Sequence, residues 1–238
     1  MWRKWNHDSK LHGVKRFEQW QGIARGVNSD GRLALVFTSG VSDFVSGANE
    51  AGNGGVSDAS TSDLPITYKH GNVEVLTGTG SSGGYTLNIA SLENKAVPDA
   101  AAIYMETPGY ADTLAVTGAK FTSSPIVGTY LYTGTQTSNA RSVIAPGLIG
   151  TVQMYINFGS EDFSYNRNSR GVSVIGSGTV DVKNGRFATS GLTIKKVYTT
   201  YGGTMHGLLH GTNARSTSGV FHTSDNAPDY SGTFLGSK

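Results

Sequence analysis

From residue 127 to the end of the chain, eight short segments patterned like β-strands follow one another with turn signals between them: 127–134, 149–158, 162–167, 172–182, 187–194, 203–210, 217–222 and 231–235. Parallel neighbours would need crossovers of a dozen or more residues, whereas antiparallel ones need only a tight turn. Short connections therefore predict strands paired in sequence order, an up-and-down arrangement. An open sheet would leave two edges of unpaired backbone groups, which closure removes. Eight strands also give a barrel whose interior side chains can just fill. The sharpest local signal is Asn184-Gly185, between TVDVK and RFATS. Both residues tolerate the positive φ of a type I′ turn, so a two-residue hairpin is expected there.

The polarity of the strand faces separates a water-facing barrel from a membrane one. In 149–158, Val152, Met154, Ile156 and Phe158 share one face, and Thr151, Gln153, Tyr155 and Asn157 share the other. Further on, Thr179, Asp181 and Lys183 alternate onto a single face. A membrane barrel needs an apolar band outside, usually around a polar interior. Turning these polar rows toward lipid would be costly, so an apolar filling under a polar coat is expected.

Composition supports the same class. The chain holds 33 glycines and only 15% charged residues. Glycine is unfavourable inside helices and suited to tight turns. The predicted fold is therefore all-β: a C-terminal eight-stranded antiparallel up-and-down β-barrel over 121–238, preceded by a smaller β-rich region over 31–120. Within that region strands are expected at 33–37, 66–70, 72–76, 85–90, 101–106 and 113–116, with a long Gly/Ser/Asn/Asp-rich loop over 45–63. Residues 1–30 differ from the rest. They hold Trp2, Trp5 and Trp20 among several basic residues, and Leu11, Val14, Phe17 and Trp20 recur at helical spacing. A basic tail or short amphipathic helix is expected there, serving as a surface anchor or as a loose terminus.

Several function classes fall away. A formal net charge of +2, with no long basic run, argues against a nucleic-acid partner. No apolar run reaches the roughly 18 residues of a membrane-spanning helix. With no cysteine in the sequence there is no disulfide, no thiolate metal site and no lipobox cysteine. The opening MWRKWNHDSKLHGVKRFEQW lacks the apolar core of a secretory signal, so export without a classical signal or a natural start upstream of Met1 is expected.

The C-terminal run GLLHGTNARSTSGVFHTSDNAPDYSGTFLGSK resembles the last strands of the β-barrel domain of the transferrin-binding protein B family. The matching positions are Gly207, Gly211, Asn213, Ala214, Gly219, Phe221, Gly232, Phe234 and Gly236. Leu209 and His210 stand where the family has an aromatic pair, and Thr212 where it has proline. Upstream, 128–136 is similar to the family's first barrel strand, 150–165 to its second and third, and 174–191 to its fourth and fifth. The resemblance covers roughly 120–238, and the two-lobed architecture of the large members is not expected, leaving at most one lobe. It implies a surface-exposed or secreted bacterial binding protein, a host or environmental protein as partner, and no enzymatic activity. The transferrin-contacting loops do not align, so the resemblance carries over no ligand-binding residue. In either reading Phe221 and Phe234 would fill the barrel while the glycines permit bending and close approach.

Motifs with other chemistry are better read as turns. Gly78–Gly83 spells GxGxxG and Gly80–Gly84 spells GxSxG, but a strand pattern follows where a dinucleotide site or a nucleophile elbow needs a helix. Gly54-Gly55-Val56-Ser57-Asp58 is a single copy of a calcium-repeat-like unit that works only in stacked arrays. Glu161 and Asp162 would point to opposite faces of a strand and so cannot cooperate. The remaining candidates are His206, His210 and His222, with 206 and 210 on one strand face and 222 on the adjacent strand. Such imidazoles suit haem iron or a transition metal, yet positions four apart on a strand lie about 13 Å apart. Solvent-facing histidines on the barrel exterior, opposite Leu209 and Phe221, are the simpler expectation. Three roles remain: a protein-binding or adhesion module without a cofactor, a carrier of haem or a small apolar ligand, and a structural surface component.

Overall fold

The computed structural model describes residues 20–27, 33–38, 66–79, 86–92, 100–106, 113–125, 127–140, 148–169, 172–196, 199–223 and 230–238. The first seven strands are β1 (Trp20–Val27), β2 (Leu33–Thr38), β3 (Ile66–His70), β4 (Val73–Thr79), β5 (Thr86–Leu92), β6 (Ala100–Glu106) and β7 (Thr113–Ala119). They form one sheet in the order β2-β1-β7-β6-β5-β4-β3, with every pairing antiparallel.

The other eight are β8 (Thr129–Ala140), β9 (Leu148–Asn157), β10 (Asp162–Ser169), β11 (Val172–Asp181), β12 (Arg186–Lys196), β13 (Thr199–His210), β14 (Ser216–Thr223) and β15 (Tyr230–Ser237). Each pairs antiparallel with its neighbour in sequence, and β15 returns to β8 from Tyr230↔Ala140 to Ser237↔Thr133, closing the barrel. All eight segments expected from the sequence are strands of this barrel. Among the described residues no helix is long and apolar enough to cross a membrane.

Inside and outside separate as the alternation requires. Val152, Met154, Ile156 and Phe158 are buried in the lumen with Phe163, Tyr165, Phe187, Phe221 and Phe234, while Gln153, Tyr155, Thr179, Asp181 and Lys183 are exposed. Fully burying each ring is worth about 1.5–3 kcal/mol.

A second apolar cluster joins the sheet to the barrel. Val73, Val75, Ala100, Ala102, Tyr104, Leu114 and Val116 pack against the outward-facing Leu208, Val220 and Leu235. Strands β14 and β15 are therefore covered on both faces, and nearly every residue in them is buried.

Two local expectations need correction. Trp20–Val27, assigned from sequence to an N-terminal tail or helix, is a strand paired with β2 and β7. Leu11, Val14 and Phe17 lie outside the described residues, as do the 45–63 loop and its Gly54–Asp58 stretch. The β11–β12 hairpin is present, but its loop is the four residues Val182–Gly185 and only Gly185 has positive φ, at 63°. Asp181 decides the turn type. Its carboxylate accepts the backbone N–H of Lys183 at 3.1 Å and of Asn184 at 3.0 Å, and the Asn184 amide at 2.7 Å. These bonds hold the carboxyl below its ordinary pKa, the Asn184 side chain contributing most.

Candidate binding surface

Glycine and aromatic residues fill the lumen as cross-strand pairs. Phe187 stands opposite Gly207, Phe234 opposite Gly219, Phe221 opposite Gly232, and Phe163 opposite Gly178. A Cβ at Gly207 would come within 2.0 Å of the Phe187 ring, one at Gly219 within 2.5 Å of Phe234, and one at Gly232 within 2.6 Å of Phe221. Gly219 and Gly232 are thus the seats of the motif rings Phe234 and Phe221, and Gly207 seats Phe187. Gly236 differs, because a Cβ there would meet Tyr132 at an ordinary 3.4 Å.

One end of the barrel is plugged by the β13–β14 turn. Gly211, Asn213 and Ala214 have φ of 71°, 57° and 48°, and Ala214 is fully buried in the lumen cluster. Tyr132 Oη donates to the Ala214 carbonyl at 2.7 Å. The incoming connection straps the turn from outside, through Thr122 N–H to Gly211 O at 3.3 Å and Ala214 N–H to Ser123 O at 3.1 Å. Lys238 Nζ bonds the Asn213 carbonyl and lies 4.2 Å from the Tyr130 ring centroid. Glu161, between the expected strands 149–158 and 162–167, is an exposed turn residue with φ of 56°.

The three histidines do not converge on one point. His206 stands opposite Val220, His222 opposite Thr204 and His210 opposite Ser216, all on the outer face. His206 and His222 are partly exposed. His222 Nδ1 faces the Thr223 carbonyl and must donate to it, which leaves Nε2 to accept from Thr204 Oγ1 at 2.6 Å in the neutral ring. His210 was expected to face solvent. It is fully buried, with Nε2 at 2.7 Å from Ser218 Oγ, because the first sheet covers this side of the barrel. Among the described residues no group of three or more His, Cys, Asp or Glu is placed to hold a metal ion. Of the glycine-rich motifs at 78–84, Gly78 and Thr79 end β4 and 80–84 lie outside the described residues; the next described element is a strand, β5, paired with β4 at Thr79↔Thr86.

Outside the region covered by the sheet, the described coat is mostly polar, broken by the single exposed Ile175 on β11 and by one cross-strand apolar pair. Leu131 and Tyr155 stand directly opposite each other on β8 and β9, 39% and 44% exposed. This pair carries no sequence signature beyond its place in the outward rows.

The barrel with its docked sheet is similar in fold to solved structures. The fold resembles one lobe of transferrin-binding protein B. The haemoglobin receptor HpuA from Kingella denitrificans superposes with a TM-score of 0.58 at 11% identity, over 95% of this chain and 88% of that one. Its complex with human haemoglobin gives 0.57 at 10% identity, over 95% and 90%. Transferrin-binding protein B from Haemophilus parasuis Hp5 gives 0.53 at 12% identity, over 91% of this chain and 45% of that one. The chain thus spans under half of transferrin-binding protein B and about nine tenths of the haemoglobin receptor. The likeness reaches well beyond the C-terminal half that carries the sequence motifs. No protein-family model and no curated protein matches the chain by sequence.

Proposed function

We propose that the chain is a non-enzymatic, protein-binding module of a bacterial cell-surface or secreted protein. The observation that carries this reading is the packed lumen: among the described residues nineteen buried side chains, most of them aromatic or branched, fill it. A macromolecular partner is therefore met on the outside, by loops and barrel wall held on a rigid scaffold. Leu131 and Tyr155 supply the exposed apolar pair that such contacts favour. A receptor for haemoglobin and a transferrin-binding protein use the same architecture, which supports a host protein as the partner.

The test is binding of the full chain to human haemoglobin and human transferrin on a sensor surface, with haemin titrated separately. Saturable binding of a protein is expected, weakened at least tenfold by Leu131→Asp with Tyr155→Asp, and no Soret shift with haemin. A stoichiometric Soret shift without protein binding would replace this reading with that of a haem carrier.

A further inference from the structure

At the barrel end remote from the β13–β14 turn, the lumen is polar and contains an arginine. On β10 the inward row is Phe163, Tyr165, Arg167, alternating with the exposed Asp162, Ser164 and Asn166. Arg167 is 1% exposed, and its cross-strand neighbours Val152 and Val174 are buried as well. Guanidinium stays charged in proteins. A buried charge is costly unless it is paired and fully hydrogen-bonded.

Only one edge of this guanidinium is used. Nη1 donates to Tyr230 Oη, which also receives Gln136 Nε2 at 3.4 Å and lies 2.8 Å from Ser138 Oγ. Tyr165 Oη donates to Gln136 Oε1 and so fixes the amide orientation. Burial pushes the Tyr230 hydroxyl above its ordinary pKa, so it is a neutral phenol and no counter-charge. Nε and Nη2 are buried without a hydrogen-bond partner, and among the described residues no carboxylate pairs with Arg167. Another orphan, Thr223 Oγ1, faces the lumen at this same end, next to the β15 strand end that carries Tyr230.

Nε–H and Nη2–H together form the side-on fork that binds a carboxylate through two parallel hydrogen bonds. We propose that the Arg167 fork is a binding site for a small planar carboxylate held inside the barrel, such as formate or acetate. The anion supplies the missing charge and satisfies both free N–H groups. Tyr230, itself held by Gln136 and Ser138, takes the Nη1 edge of the guanidinium and leaves Nε and Nη2 unused. This site is separate from any protein partner bound on the outer wall, and its test does not depend on that partner.

The experiment titrates sodium formate, acetate and octanoate into the full chain in sodium chloride at constant ionic strength. Thermal unfolding and the Arg167 Nε–H resonance of 15N-arginine-labelled protein are the two readouts. Formate and acetate should raise the unfolding temperature saturably and shift the resonance. Arg167→Lys, which keeps the charge but lacks the fork, should lose at least tenfold in affinity. Arg167→Met should abolish the effect and, with no buried charge to satisfy, be at least as stable in chloride. Should Arg167→Met fail to fold, the lysine variant and the wild-type resonance still decide. A resonance unmoved by formate, or a chloride buffer that stabilises equally, would overturn the site. Octanoate binding more tightly than formate would overturn the assignment to a small free acid.

Discussion

The Phe187 ring occupies the space in which a side chain at Gly207 would begin, its Cζ lying 2.0 Å from where that Cβ would stand. The two residues are direct cross-strand partners on β12 and β13. The missing side chain on one strand makes room for the ring from the next, and three further pairs repeat the arrangement around the barrel. Gly207→Ala should therefore cost about 1–3 kcal/mol by overpacking. Phe187→Ala should cost about 3–5 kcal/mol by leaving a cavity. The double variant should be more stable than the sum of the two losses implies, because the new methyl enters the vacated space. Urea unfolding of the four proteins measures this coupling.

Tyr132 holds the plug at the opposite end from Arg167. Its hydroxyl satisfies the buried Ala214 carbonyl, so Tyr132→Phe strands that acceptor and should cost about 1–3 kcal/mol. Amide exchange within 211–215 should quicken more than exchange in β11 and β12.

Glu161 sits at φ of 56° in an exposed turn. A left-handed conformation costs an ordinary residue about 1–2 kcal/mol, and asparagine tolerates it better. Glu161→Asn should raise stability by roughly 0.5–1 kcal/mol on that scale, read as a higher urea midpoint with unchanged slope.

Burial raises the pKa of Tyr132, Tyr165 and Tyr230 above the ordinary tyrosine value. In the unfolded chain these phenols ionise near pH 10, while the folded barrel keeps them protonated. The unfolded state then binds fewer protons, so the tyrosine contribution to stability is complete below about pH 10 and is lost progressively above it. Tyrosinate absorbance at 295 nm should show these three among the eleven tyrosines appearing only with unfolding.

Val220 lies in the cluster between sheet and barrel rather than in the lumen. Val220→Asp buries an unpaired charge there and should detach the sheet while the barrel, filled by a separate cluster, stays folded. Limited proteolysis should then cut within 66–119 before 129–238, whereas both should resist in the wild type.

The barrel was legible because one face of each strand had to be apolar, and β9 shows this plainly in Val152, Met154 and Ile156. Trp20–Val27 was hidden, because two glycines and an arginine blur its alternation and helical spacing just upstream competes with it. The turn at Asn184-Gly185 depended on an Asp181 cap three residues before Asn184, which a dipeptide rule does not see. Burial of His210 could not be read either. Ser216, Ser218, Ser231 and Thr233 look like a solvent face in sequence, yet these small hydroxyl residues are all buried on the side of the barrel where the first sheet docks. Arg167 did leave a signal: it falls two residues after Tyr165, in the inward row.

Outer-wall binding requires a closed barrel around its own side chains, and closure rests on the most distant strand pairing described, β8 with β15. Residue-resolved amide hydrogen exchange tests it most directly. Ladder amides of β8 and β15, such as those between the Gly134↔Gly236 and Thr137↔Thr233 pairs, should be as protected as those of β11 and β12. Exchange of the β8–β15 amides at the rate of free peptide, with the other strands still protected, would mean an open sheet and would contradict both the filled lumen and the outer-wall binding built on it.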